Sequence, residues 1–217
     1  MDTNLVTVQD PRSTAAEAYR ALRVNLGFTS LDRPLRIFTV SSPAPAGMES
    51  NVAANLAVVM AQAGQQVCLV DADLRRPRLH EVFGVAQEPG VTTVLVSQAN
   101  EEPLPLVATM VPGLSLLPSG ALPPNPADIL GSNKMAALLD RLRKHVDVVI
   151  LQAPPVTVAV DASVLAAQTD GLLLAVRAGH TRRDRVEQAK ELLERFRVRL
   201  LGAVLTDAPD RGLLTGY

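Results

Sequence analysis

The chain has no tryptophan, one cysteine, few aromatic residues (3%), and only three lysines among its 21 basic residues. Each shortage excludes something. A single cysteine rules out an internal disulfide and a thiolate-built metal site, and fits a reducing cytoplasm. Cys68 lies inside the apolar run VCLV and reads as a buried small hydrophobe. With so few aromatics, the core must be built from Val, Leu, Ala and Ile, which suits a parallel sheet under helices. No uncharged run reaches the ~18–20 residues that a membrane span requires. The N-terminal MDTNLVTVQD has neither a basic n-region nor an apolar h-region and does not read as a signal peptide. A net charge of −1 gives no reason to expect nucleic-acid binding. The lysine shortage bears most on function: Arg outnumbers Lys 18 to 3, and the first lysine is Lys134.

What is present has a regular layout. Residues 1–13 read as an extended lead-in ending at DPRS, with Ser13 or Thr14 as N-cap of a helix through TAAEAYRALRVNLGF. Tyr19, Leu22 and Leu26 fall near one face of that helix. Six short apolar runs follow: RIFTV, VCLVD, LSLLP, DVVIL, GLLLAV and LLGAVLT. They are β-branched or Leu-rich and near-continuous rather than alternating, the pattern of strands buried on both faces. The expected fold is therefore α/β, a parallel sheet with helices on both faces in three layers. Helices are predicted at 50–63, 132–145, 160–168 and 182–196, with a shorter one near 91–98. In SGALPPNPADIL, Pro126 opens a helical turn after Asn125. The reading is one domain over 14–207 and a flexible tail over 208–217.

Three segments look like parts of a phosphate-handling site. The first, IFTVSSPAPAGMESNVAANLAVVMAQAG (37–64), has a strand, a loop of small residues and proline, then a helix. Such loops aim backbone N–H groups at phosphate oxygens and add a lysine for the β/γ phosphates. The second, CLVDADLRRPRLHEVFG (68–84), ends a strand in Asp71 and Asp73 and continues into Arg75, Arg76 and Arg78. The third, DVVILQAPP (147–155), is a buried strand running into a Pro-Pro turn. Together with AAEAYRALRVNLGF and LPSGALPPNPADIL, these segments resemble the bacterial tyrosine kinases (BY-kinases) of capsule and exopolysaccharide biosynthesis, from about residue 10 to about residue 207.

The resemblance implies a P-loop NTPase-like domain close to the Min/Par ATPases, which binds Mg-ATP and phosphorylates tyrosines at its own C-terminus. It implies activation by the cytoplasmic end of a membrane protein that controls polysaccharide chain length. The chain would then be cytoplasmic and recruited by that partner to the inner face of the membrane. It also implies self-assembly through a motif that falls on Glu17, Arg20 and Arg23, residues that otherwise read as a solvated helix face with i,i+3 ion pairs. The family loop Pro-Gly-Glu-Gly-Lys-Ser-Thr falls on Pro45, Ala46, Gly47, Met48, Glu49, Ser50 and Asn51.

The departures decide the expected chemistry. Met48 brings a Cβ and a long side chain to a glycine position. Glu49 replaces the lysine, and a charge pair at ~4 Å with an effective dielectric near 20 is worth about 4 kcal/mol. Turning that attraction into repulsion would move affinity by several powers of ten. The family's second carboxylate, which helps hold Mg²⁺ through water, is Gln152 here, a neutral side chain. Ser50 keeps the metal-binding hydroxyl, and Asp71 and Asp73 keep the carboxylates that serve metal and tyrosine hydroxyl in active relatives, so Ser50 and Asp71 would hold Mg²⁺ only if the site were active. Arg75, Arg76 and Arg78 could pair with Asp71 and Asp73, or with Glu49, and fill the phosphate site from within. Tyr217 is the candidate phosphoacceptor and Tyr19 reads as packing, while His80, His145 and His180 have no ligand-like spacing. The expectation is a pseudokinase that needs no cofactor and assembles with itself, with an active BY-kinase or with a membrane adaptor. The alternative is a Mg-ATP-dependent autokinase acting on Tyr217, and a third reading is a Par/Min-like positioning ATPase, which the missing lysine opposes.

Overall fold

The computed structural model describes residues 5–29, 34–45, 49–97 and 103–208, with Glu49 and Ser50 as main chain only. In chain order the elements are α1 (Val6–Gln9), α2 (Thr14–Phe28), β1 (Ile37–Ser41), α3 (Glu49–Gln62), β2 (Val67–Asp71), α4 (Leu79–Phe83), α5 (Val91–Val96) and β3 (Val107–Ala108). There follow β4 (Leu114–Leu117), α6 (Pro126–Leu130), α7 (Asn133–His145), β5 (Val148–Gln152), α8 (Asp161–Ala166), β6 (Leu172–Arg177), α9 (Arg183–Arg195) and β7 (Leu200–Thr206). Among the described residues the strands form one seven-stranded sheet in the order β3-β4-β2-β5-β1-β6-β7. Every pairing is parallel except that of β3 with β4.

The three layers follow from the pleat. In β1, Phe38 and Val40 pack with α1–α4, whereas Ile37 packs with α5–α9, and Leu69 and Ile150 are likewise opposed to Cys68 and Val149. Because β1, β2 and β5 are buried at every position, their side chains are mostly apolar on both faces, with polar residues gathered toward the carboxyl ends, which explains the apolar runs in the sequence. Ser13 caps α2, its side chain accepting from the Ala16 N–H at 3.2 Å.

Three features differ from the sequence reading, one of them the unpredicted five-residue helix α4. The lead-in is not extended over 5–13: Val6–Gln9 is a helical turn, and Leu5 beneath it is fully buried. Thr7 is its polar anchor, its N–H and hydroxyl both donating to Asn55 Oδ1 of α3, at 3.1 and 2.8 Å. A seventh strand, the two-residue β3, adds an antiparallel edge to the six expected. The proposed tail lies outside the described residues from 209 onward.

Candidate functional site

β1, β5 and β2 are neighbours in the sheet, and the crevice at the carboxyl ends of such strands is where open α/β folds place ligands. β2 ends on Asp71 and β5 on Gln152, and the register sets these two residues directly opposite each other. Strand spacing is ~4.8 Å, and paired residues of parallel strands face the same side. Both are buried, Gln152 at 2% exposure.

The bonding of this pair is incomplete. Asp71 Oδ2 accepts from the N–H groups of Arg78 and Leu79, at 3.1 and 2.9 Å, while Asp71 Oδ1 is buried without a partner. Gln152 Nε2 donates to the Ala153 carbonyl at 3.1 Å, and its Oε1 is likewise buried without a partner. Burial pushes the Asp71 carboxyl up to about 7, and the charge of nearby Asp73 adds to the rise. The main-chain donors, Leu79 foremost, pull the other way.

The arginine-rich segment does not fill the site in the way its sequence suggests. Asp73 Oδ1 accepts from the main-chain N–H groups of Arg75 and Arg76, at 3.1 and 2.9 Å, an Asx-type turn. The Arg75 guanidinium instead reaches Asp161 at the start of α8, as a bidentate pair with Nε–Oδ2 2.7 Å and Nη2–Oδ1 3.0 Å. Hydrogen bonding to Asp161 holds the Arg75 guanidinium above its ordinary range. Arg78 lies 3.7 Å from Glu81 on the surface. The expected pairing with Asp71 and Asp73 is replaced by main-chain bonds to those carboxylates and, for Arg75, by a link to Asp161, while the alternative pairing with Glu49 falls on a side chain outside the described residues.

Asp161, fully buried, is the residue that sequence reasoning missed. It stands 86 positions from Arg75, so no local spacing signals the pair. The rim near β1 is tied to the same loop: Ser41 Oγ donates to the Pro154 carbonyl at 2.7 Å and Thr157 Oγ1 to the Pro43 carbonyl at 2.7 Å. Gly47 and Met48 lie outside the described residues, as do the side chains of Glu49 and Ser50 and all of Tyr217. The main chain of Glu49 opens α3, and the Asn51 carbonyl accepts from Asn55 Nδ2 at 2.9 Å.

Glu17 and Arg20 meet on α2 as an i,i+3 pair at 2.9 Å, and Arg20 also donates to the Pro11 carbonyl at 2.7 Å. Arg23 Nε is buried without a partner on the same helix. Tyr19 packs against the core, and burial, aided by the charge of Asp207, pushes its hydroxyl up to about 12.

The family model described as NUBPL iron-transfer P-loop NTPase, of the ParA group, matches residues 37–206. Cys68, the one cysteine, is buried in β2, so the chain presents no thiol for iron. Tyrosine-protein kinase YwqD of Bacillus subtilis (strain 168) is 37% identical over 205 residues, which is 94% of this chain and 86% of that protein. The crystal structure of the chimerical protein CapA2B2 matches with a TM-score of 0.90 at 32% identity, over 96% of this chain and 92% of that one. The kinase domain of Escherichia coli tyrosine kinase ETK matches with a TM-score of 0.86 at 31% identity, over 94% and 82%.

Proposed function

The chain belongs to the bacterial tyrosine-kinase (BY-kinase) family, and from that premise we propose that it is a pseudokinase, a regulatory or assembly subunit in capsule or exopolysaccharide synthesis and export. The observation that carries this reading is Gln152, a buried neutral side chain set in register against Asp71. A Mg²⁺ site for a nucleotide needs anionic oxygens. Here the facing pair offers one carboxylate that itself titrates near neutrality and one uncharged amide, and Asp73, the other carboxylate, is held by the Arg75 and Arg76 main-chain amides.

The phosphates fare no better. The lysine position holds Glu49, no lysine occurs before Lys134, and the Arg75 guanidinium is committed to Asp161. The residues present do not fit Mg-ATP as a family site would, so no phosphoryl-transfer step is derived through it. The partner in this reading is the cytoplasmic end of a membrane chain-length regulator, which would bring the chain to the inner face of the membrane. The likeness to a chimerical protein, CapA2B2, supports a two-component arrangement.

Calorimetry with ATP and ADP in the presence of Mg²⁺ tests it on two proteins, the native chain and the chain carrying Met48→Gly, Glu49→Lys and Gln152→Asp. No heat from the native chain and saturable binding by the repaired one are expected. Micromolar binding by the native chain would overturn the reading and favour the second one, an ATP-dependent autokinase acting on Tyr217. One observation favours that second reading: a carboxyl held near 7, as Asp71 is, suits a general base.

A further inference from the structure

We propose that the end of the sheet where β5, β1, β6 and β7 begin is a docking surface for anionic membrane lipid. Parallel strands gather the C-termini of the flanking helices at this end, and the last turns there carry cations: Arg143 and Lys144 on α7, Arg195 on α9. Arg36 precedes β1, and Arg197 and Arg199 precede β7. Two guanidinium groups stitch the surface together. Arg36 Nη2 donates to the carbonyls of Arg143 and Val146 at 2.8 and 3.0 Å, and Arg199 Nη2 to the Thr29 carbonyl after α2 at 2.7 Å. The cations thus span the starts of four neighbouring strands, three spacings or about 14 Å.

Pairing is denser at the opposite end. At the carboxyl ends of the strands five arginines have a carboxylate, Arg75 with Asp161, Arg78 with Glu81, Arg177 with Asp207, Arg182 with Asp184 and Arg183 with Glu187, while Arg185 bonds Gln188 instead. At the other end, among the described residues, no carboxylate pairs with Arg36, Lys144, Arg195, Arg197 or Arg199. Four acids share this end with six cations (Arg36, Arg143, Lys144, Arg195, Arg197 and Arg199), which leaves the described face net positive. Asp140 lies 3.6 Å from Arg143, and Glu194 3.7 Å from Lys190. Asp147 accepts from the Gln66 N–H, and Asp170 from those of Arg36 and Ile37, each at 2.8 Å.

Exposed apolar side chains stand among these cations. Phe28, the last residue of α2, is 65% exposed, and Phe196 and Leu200 are 38% and 40% exposed on either side of Arg197 and Arg199. Uncompensated arginines interleaved with exposed phenylalanine and leucine match a bilayer surface, where guanidinium binds headgroup phosphate and apolar side chains enter the acyl boundary. A fluid surface needs no fixed complementary groove, which suits side chains drawn from several chain ends. The charge of the site selects anionic lipid.

Sedimentation of the full chain with vesicles tests this directly. Vesicles of phosphatidylcholine alone are compared with vesicles holding about a third phosphatidylglycerol, at about 0.15 M salt. The chain is expected to sediment with the anionic vesicles and stay in solution with the neutral ones. Each arginine near an anionic surface contributes about fivefold to partitioning, so Arg195→Gln with Arg197→Asn should lower it about 25-fold. Asparagine is chosen because Arg197 has a φ of 55°. Phe28→Ser with Phe196→Ser should lower it too, with the salt dependence retained. The control pair Arg182→Gln with Arg183→Gln, at the opposite end, should leave it unchanged. Failure to sediment with anionic vesicles, equal loss from the control pair, or equal binding to neutral vesicles would each overturn the proposal. Self-association or capture of acidic peptide through this face, without lipid binding, would do so as well.

Discussion

A carboxyl held near 7 makes Asp71 a source of pH dependence as well as a candidate for chemistry. Its ordinary value is 3.8, so between about 4 and about 7 the unfolded chain releases this proton while the folded chain retains it. A raised carboxyl favours the fold fully below the unfolded value, and that contribution is lost as pH rises through the folded one. Stability should therefore fall from pH 5 to pH 8, by at most roughly 3 kcal/mol from this residue. Asp71→Asn should flatten that dependence while keeping an acceptor for the Arg78 and Leu79 amides, and urea midpoints at pH 5 and 8 would show it. An unchanged slope in the variant would mean that another group carries the proton. At this scale the sequence revealed which residues stand at the site, since Asp71, Asp73 and Gln152 each follow an apolar run. It could not reveal their bonding. The destination of the Arg75 guanidinium depends on where a loop 86 residues away is folded, and no periodicity encodes that.

At the scale of elements, legibility followed burial. Strands enclosed on both faces read as unbroken apolar runs, and α7 and α9 read from their periodicity, with Ser132 capping α7 through the Met135 N–H at 3.3 Å. Short elements escaped: α1 has four residues, α4 five and β3 two, too few to display a period. α1 is held by Leu5 in the core and by the Thr7–Asn55 bonds, both long-range. Asn55→Ala therefore makes a specific prediction. It strips the buried N–H and hydroxyl of Thr7 of their acceptor, which should cost about 2–3 kcal/mol. The loss should be local as well as global, with hydrogen exchange quickening over residues 5–9 before the β1 and β5 amides respond. A uniform change across the sheet would show that α1 is not a separately anchored element.

For the whole molecule, assembly is the claim that the monomer's geometry bears on most directly. Glu17 and Arg20 already satisfy each other within α2, and exposed pairs of this kind contribute little to stability. The pair is cheap to break, so Arg20 can exchange Glu17 for a neighbour's acid at small cost. Beside it, a cavity of about 490 Å³ is bordered by Ala15, Tyr19, Leu22, Val204 and Leu205, and Val24 and Leu205 are exposed apolar side chains. If α2 is an assembly surface, the native chain should sediment as an oligomer whose size falls with added salt. Arg20→Gln with Arg23→Gln should then run as a monomer, with a melting temperature lowered only slightly by loss of the exposed Glu17 pair and the Pro11 bond. A native chain that is monomeric at all concentrations would remove assembly from the reading while leaving the proposed loss of nucleotide binding to its own test. An oligomer indifferent to this double variant would move the interface elsewhere, with the apolar rim of the same cavity the next surface to alter, by Leu205→Ser.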